Sequence, residues 1–248
     1  MSLPIVLVSG WSMPAAVLEP LAQELDGDGR VSVVQLPGLV SEPERTYDWK
    51  ALLEYLELHL LETPAVLVGW SLGGTLATIY ASQNPDKVAA LVTLGSNPCF
   101  VRNDEWPDAM LGETFTSFYQ GMQQEPENTI QQFSMLCSMG NSNRKEMILR
   151  LQAAAAEAEL EPGVLLSLLK LLGTTDVRSQ LADIRCPVVH CLGKDDALVP
   201  AAAAAVIEKS YPGHRVQLMN GGHSFFLDET SGALRQVVDL IVRLCNRK

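Results

Sequence analysis

The chain has 248 residues, 47% of them hydrophobic, enough for one large α/β domain with a sizeable core. Its 18 basic and 29 acidic residues leave a net charge of −11, which argues against generic binding to nucleic acid or adhesion to an anionic membrane. No stretch of about 18 uncharged apolar residues occurs, and Met1-Ser2-Leu3-Pro4 brings no basic region before the short apolar run, so a cytoplasmic protein without a membrane span is expected.

Ile5 to Val8 is a continuous apolar run that reads as a buried strand and ends in Ser9-Gly10-Trp11-Ser12. Apolar positions at helical spacing cover 16–25, and Asp26-Gly27-Asp28-Gly29 makes a turn. Val31 to Leu36 is a second strand stopped by Pro37-Gly38, and Tyr47 to Leu61 is a helix with Asp48 as its N-cap. A third strand, 65–69, runs into Gly69-Trp70-Ser71-Leu72-Gly73-Gly74 and then a helix over Thr75 to Ser82, stopped by Asn84-Pro85. Val88 to Leu94 is a fourth buried strand. Strands without polar alternation, separated by helices, predict a parallel, doubly wound sheet.

The pattern breaks at 97–174, where helical stretches at about 113–124, 127–138, 144–159 and 163–172 replace strands. A long insertion at the carboxyl end of a strand lies over the ligand crevice of an open α/β sheet. Residues 97–174 are therefore expected to form a helical cap, with 1–96 and 175–248 as the core. The sheet resumes with a strand at 187–192, a polar loop at 193–200, a helix at 201–210, a strand at 215–219, a glycine-flanked loop at 220–224 and a helix over about 229–245. The five cysteines (Cys99, Cys137, Cys186, Cys191, Cys245) are odd in number and lack C-x-x-C spacing, so they read as small core residues rather than disulfides or a zinc site. No exposed apolar helix stands out, and a monomer is expected.

Strand, G-x-S-x-G, helix places a serine at the apex of a strained turn, with its hydroxyl clear of the sheet and a helix N-terminus aimed at it. A free serine hydroxyl is a poor nucleophile, so Ser71 needs a base. Of the four histidines, His59 lies on a helix, His190 inside a buried strand and His214 in a turn; only His223 sits in a loop at the carboxyl end of a strand. Asp195 and Asp196 both follow the fifth strand and supply the carboxylate that orients the base; Asp196 is taken, with Asp195 as the alternative. The backbone N–H groups of Leu72 and Trp11 are the expected oxyanion donors.

Ser71, Asp196 and His223, in that chain order and with the Gly10-Trp11 loop, are similar to the α/β-hydrolase family, and a narrower match is carried together by Gly10-Trp11-Ser12, Leu36-Pro37-Gly38, Gly69 to Gly74, Ser96-Asn97-Pro98-Cys99-Phe100, Asp104-Glu105-Trp106-Pro107, Met139-Gly140, Thr175-Asp176-Val177-Arg178 and Asp196-Ala197-Leu198-Val199-Pro200. Within that family the chain resembles the pimeloyl-[acyl-carrier protein] methyl ester esterases. The resemblance implies hydrolysis of a methyl ester at the far end of a pimeloyl chain held on acyl carrier protein, with no metal or cofactor. It makes Ser71 the nucleophile, His223 the base and Asp196 its orienter, and it puts Trp11 and Leu72 at the substrate carbonyl. It also implies that Phe133, Ser134, Met135, Leu136 and Cys137 line the acyl channel.

Carrier docking is expected on the locally basic stretch carrying Arg144, Lys145 and Arg150. Asn128 and Gln132 stand where the resemblance calls for arginines. The antiparallel strands that open many members of this fold are missing, so the sheet is expected to have six parallel strands. A general carboxylesterase for small-molecule esters would share every catalytic residue and differ only in the cap. Carbon–carbon bond cleavage, lactone opening and ligand holding without turnover are the remaining alternatives.

Overall fold

A computed structural model describes residues 3–26, 30–39, 46–60 and 64–246; Met1-Ser2 and most of the expected turn at 26–29 lie outside them. The central strands are apolar at nearly every position because helices cover both their faces. Strand β1 (Ile5–Val8) is buried throughout, whereas β2 (Val31–Val34) is buried only at its end. β3 (Ala65–Trp70) is buried at every residue and β4 (Val88–Leu94) at all but one. β5 (Val188–Gly193) is again wholly buried, and β6 (Arg215–Met219) is largely exposed. The six strands form one sheet in the order β2-β1-β3-β4-β5-β6, all parallel, as expected. Strand order reverses between β1 and β3, and the crevice of such a sheet opens there, outside the carboxyl ends of the strands.

Helices α1 (Glu19–Leu25), α2 (Trp49–His59) and α3 (Leu72–Gln83) connect the first four strands. Asp48 caps α2, its carboxylate accepting from Ala51 N–H at 2.8 Å. Between β4 and β5 come α4 (Gly112–Gln124), α5 (Pro126–Ser138), α6 (Arg144–Ala156) and α7 (Pro162–Thr174). A short helix, α8 (Arg178–Asp183), follows where none is expected; the Asp176 carboxylate starts it by accepting from Arg178 N–H at 3.0 Å. α9 (Ala203–Ser210) and α10 (Ala233–Cys245) complete the chain. α10 starts four residues later than its periodicity suggests. The Asp228 carboxylate takes the N–H groups of Thr230 and Ser231 into a turn instead, and Gly232, at φ 75, leads into the helix.

The two ends of the α4–α7 segment are fastened together. Val177 N–H donates to Pro98 O at 3.0 Å, and Cys99 bridges Asp176. Arg178 pairs with Asp176 at 2.7 Å and Glu105 at 2.6 Å, and its guanidinium holds the Asp176 carboxyl below the usual range. Trp106, buried, donates from Nε1 to Asn97 Oδ1 at 2.8 Å. The Asn-Pro-Cys-Phe and Asp-Glu-Trp-Pro runs are thus bracing at the base of the helical segment. All five cysteines are free, and burial pushes the Cys191 thiol up to about 12. No helix among the described residues is long and apolar enough to cross a membrane.

Candidate active site

β3 delivers Ser71 into a turn that only small neighbours permit. Ser71 has φ 54 and ψ −118, a conformation that costs a non-glycine residue about 1–3 kcal/mol. It is fixed by its N–H donating to Leu94 O at 2.9 Å and by its carbonyl accepting from Gly74 N–H at 2.9 Å. A Cβ at Gly69 would lie 2.4 Å from Gly73 O, and one at Gly73 would lie 2.4 Å from Ser9 O, so both flanking glycines are required sterically. Ser71 is 4% exposed. Leu72 opens α3, where the first-turn N–H groups have no intrahelical acceptors and the dipole is positive.

The loop after β1 lies against this serine: a Cβ on Gly10 would sit 3.4 Å from Ser71 Cβ. Trp11, fully buried, donates from Nε1 to Leu165 O of α7 at 2.7 Å. Its ring meets Phe118 of α4 and Phe133 of α5 edge-on, with centroids at 5.5 and 5.1 Å. Ser12 is, with Ser71, one of the two non-glycine residues of positive φ among those described, and its buried hydroxyl has no partner there. Among the described residues, the two positive-φ non-glycine positions thus sit on strand-end loops that pack against each other.

His223 Nδ1 lies 2.8 Å from Asp196 Oδ2, and both side chains are fully buried. The other Asp196 oxygen accepts from Leu198 N–H at 2.8 Å and Val199 N–H at 3.0 Å, which orients the carboxylate. Of the two aspartates, Asp196 makes this contact, while Asp195 is exposed. With Nδ1 donating to Asp196, Nε2 is the acceptor nitrogen of the neutral ring. Nε2 is buried and has no partner among the described residues, so it does not bond the Ser71 hydroxyl here. Such contacts tighten when substrate binds. The imidazole is seated by the neighbours of Ser71: Trp70 Nε1 donates to His223 O at 3.1 Å. Gly95, at φ 54, follows the strand end that holds Ser71 N–H; a Cβ there would be 3.0 Å from His223 Nδ1. The other histidines are elsewhere. His190 bonds Thr93 Oγ1 at 2.8 Å and His214 at 3.1 Å inside the sheet, and burial pushes it down to about 3. His59 bonds the Tyr55 carbonyl on an exposed helix face.

The run 133–137 is not uniformly buried. Phe133, Ser134 and Cys137 are buried and Leu136 is partly buried, but Met135 is 39% exposed, turned outward by the helical repeat. The structure therefore does not bring Met135 to the Phe133 face. The Ser134 hydroxyl donates to Ile130 O at 3.2 Å, and both residues border a cleft of about 570 Å³ between α5 and α6, walled also by Glu127, Gln131 and Gln152. Ser71 is not among the residues of that cleft.

Arg144 and Lys145 are exposed and Arg150 half-exposed, and none of the three is ion-paired among the described residues. Two of them stand in the first turn of α6, where positive charge opposes the helix dipole. Sequence reasoning missed Gly95, Asn141, which joins the segment after α5 to the His223 loop, and Ser142, which anchors that segment to Asp228. A glycine directly after a strand was a readable sign for Gly95; nothing local marks the other two.

The chain belongs to the alpha/beta hydrolase family, whose model matches residues 5–237. Among curated proteins it is 34% identical over 233 residues to the pimeloyl-[acyl-carrier protein] methyl ester esterase of Aeromonas salmonicida, covering 90% of this chain and 89% of that one. It is also 34% identical over 244 residues to the protein of the same name from Aromatoleum aromaticum, covering 96% and 97%. An esterase from Exiguobacterium antarcticum superposes with a TM-score of 0.85 over 100% of this chain and 94% of that one; at 20% identity it speaks for the fold alone.

Proposed function

We propose that the protein is a serine carboxylic-ester hydrolase that cleaves the methyl ester of pimeloyl-acyl-carrier protein, giving pimeloyl-acyl-carrier protein and methanol for biotin synthesis. The observations that carry the chemistry are the buried His223–Asp196 pair at 2.8 Å and, on the loop after β3, a serine held at φ 54 on a helix N-terminus. The substrate rests on the similarity to the esterases named above.

In this reading His223 Nε2 takes the Ser71 proton as Oγ attacks the ester carbonyl, and Asp196 steadies the imidazolium. The N–H groups of Leu72 and Trp11 receive the oxyanion. The carbon–oxygen bond to the methoxy group breaks, methanol leaves with the proton from His223, and water cleaves the acyl-enzyme by the same route. Residues 97–174 act as a cap over the acyl chain, with Phe133, Leu136 and Cys137 nearest it. A net charge of −11 repels an acidic carrier at long range, so docking needs a local positive patch; Arg144, Lys145 and Arg150, without ion-pair partners among the described residues, supply one. The enzyme works as a cytoplasmic monomer, and small esters that fit under the cap are also substrates.

The test is covalent labelling with a serine-directed fluorophosphonate, alongside turnover of a methyl ester. Wild type is expected to label once and to turn over. Ser71→Ala is expected to fold, not to label, and to lose about 10⁴-fold or more in kcat. Labelling of Ser71→Ala at another serine with turnover retained would overturn the assignment.

A further inference from the structure

The segment after α5, Met139 to Ser142, is wedged between the loops that carry Asp196 and His223. A Cβ on Gly222 would lie 1.6 Å from Met139 O, and one on Gly140 would lie 2.5 Å from Asp195 Cβ. Within this segment Asn141 is 6% exposed, and its carboxamide makes two hydrogen bonds. Oδ1 accepts from Gly222 N–H at 2.8 Å, and Nδ2 donates to Ser224 Oγ at 2.7 Å. Gly222 and Ser224 are the two chain neighbours of His223. Ser224 in turn donates from its N–H and its hydroxyl to Cys137 O, at 3.1 and 2.9 Å. The His223 loop begins Asn220-Gly221-Gly222, with Gly221 at φ 120, so its own sequence restricts the backbone little. The restraint comes from outside the loop, across more than 80 residues of chain.

We propose that Asn141 is a positioning residue for His223. Its carboxamide holds the Gly222 N–H on one side of His223 and the Ser224 hydroxyl on the other, and so fixes the imidazole that must reach Ser71. The inference rests on the reading of His223 as the base. The position calls for an amide: it must accept from one neighbour and donate to the other, which a carboxylate does not do and a hydroxyl is too short to do. Because Asn141 belongs to the segment joining α5 to α6, the same two bonds couple the helical layer to the base. The neighbouring Ser142 makes bonds of another kind, from its N–H and hydroxyl to Asp228 Oδ2 at 2.9 and 2.7 Å, which anchor the segment without touching a neighbour of His223.

The experiment measures kcat, KM and Tm with p-nitrophenyl butyrate for the full-length wild type, Asn141→Ala, Asn141→Asp and Ser142→Ala, with Ser71→Ala alongside. A displaced catalytic group costs rate rather than binding, so Asn141→Ala is expected to lower kcat about 10- to 100-fold with KM within about twofold. Asn141→Asp keeps the acceptor for Gly222 and loses the donor to Ser224, and falls between. Ser142→Ala is expected to lower Tm about as much as Asn141→Ala while keeping kcat within about twofold of wild type. Folded Asn141→Ala with wild-type kcat overturns the role, as does a loss in both alanine variants that merely follows Tm. If Asn141→Ala does not fold, Asn141→Asp decides, and wild-type kcat there overturns the role. Turnover by Ser71→Ala would remove the serine-esterase reading itself, whereas an inactive Ser71→Ala beside a normal Asn141→Ala removes only the positioning role.

Discussion

The loops at the strand ends and the helical segment after β4 are held by different forces. In the loops, position is set by sterics. Ser71 keeps its strained backbone because Gly69 and Gly73 let carbonyls approach to distances no Cβ would allow, and Gly95, at φ 54, leaves room for the imidazole beside it. In the helical segment, position is set by single polar bonds to distant parts of the chain: Trp11 to Leu165, Asn141 to Gly222 and Ser224, Ser142 to Asp228. Steric constraint among packed backbone is stiff, while a hydrogen bond is worth about 1 kcal/mol net. The strand-end loops are thus fixed by close backbone packing, and the α4–α7 segment is joined to the rest of the chain by a few single hydrogen bonds.

That contrast orders the effects of substitution. Gly73→Ala pushes a methyl group against the carbonyls of Ser9 and Val8, at 2.4 and 2.5 Å, with only backbone to yield. It is expected to destabilise the whole protein by about 3 kcal/mol or more, read as a large fall in the denaturation midpoint together with lost activity. Trp11→Phe keeps an aromatic ring between Phe118 and Phe133 but leaves Leu165 O without its donor. A loss of about 1–2 kcal/mol is expected, with faster amide exchange concentrated in α4, α5 and α7 rather than in the sheet. Equal protection loss in β3 and β4 would show that sheet and helical segment are not separate in this way.

A further effect tests the sheet alone. Burial lowers His190 to about 3, so the folded protein keeps it neutral where the unfolded chain, near 6.5, already binds a proton. Its contribution is complete above pH 6.5 and is lost as pH falls toward 3, by about 1.4 kcal/mol per pH unit in the region between. Denaturant midpoints measured from pH 7 to 5 are expected to fall, and His190→Asn is expected to flatten that fall. An unchanged slope in the variant would assign the acid sensitivity to other groups.

The same division explains what could be read in advance. Continuous apolar strands, glycines around Ser71 and a histidine in a glycine-flanked loop are local signals, and they led to the parallel sheet, to Ser71 and to His223 with Asp196. Where a side chain captured nearby backbone, local reading slipped: Asp228 delays α10 and Asp176 starts α8. The α4–α7 segment was legible as helices but not as contacts, because Asn141 and its partners are more than 80 residues apart and a single polar residue after a glycine has no periodicity. Met135 is the outward-facing residue of the run 133–137. Five consecutive residues of a helix cannot share one face, and the repeat turns this one to solvent.

The measurement that bears most directly on the proposed function compares kcat/KM for pimeloyl-carrier-protein methyl ester with that for p-nitrophenyl butyrate. It is made for wild type and for the variant with Arg144, Lys145 and Arg150 all changed to alanine. The account predicts a strong preference for the carrier-bound ester in wild type. The triple change is expected to lower that preference at least about tenfold, as would added salt, with the free ester barely affected. Equal use of both esters, unmoved by the triple change, would contradict it and leave a general carboxylesterase.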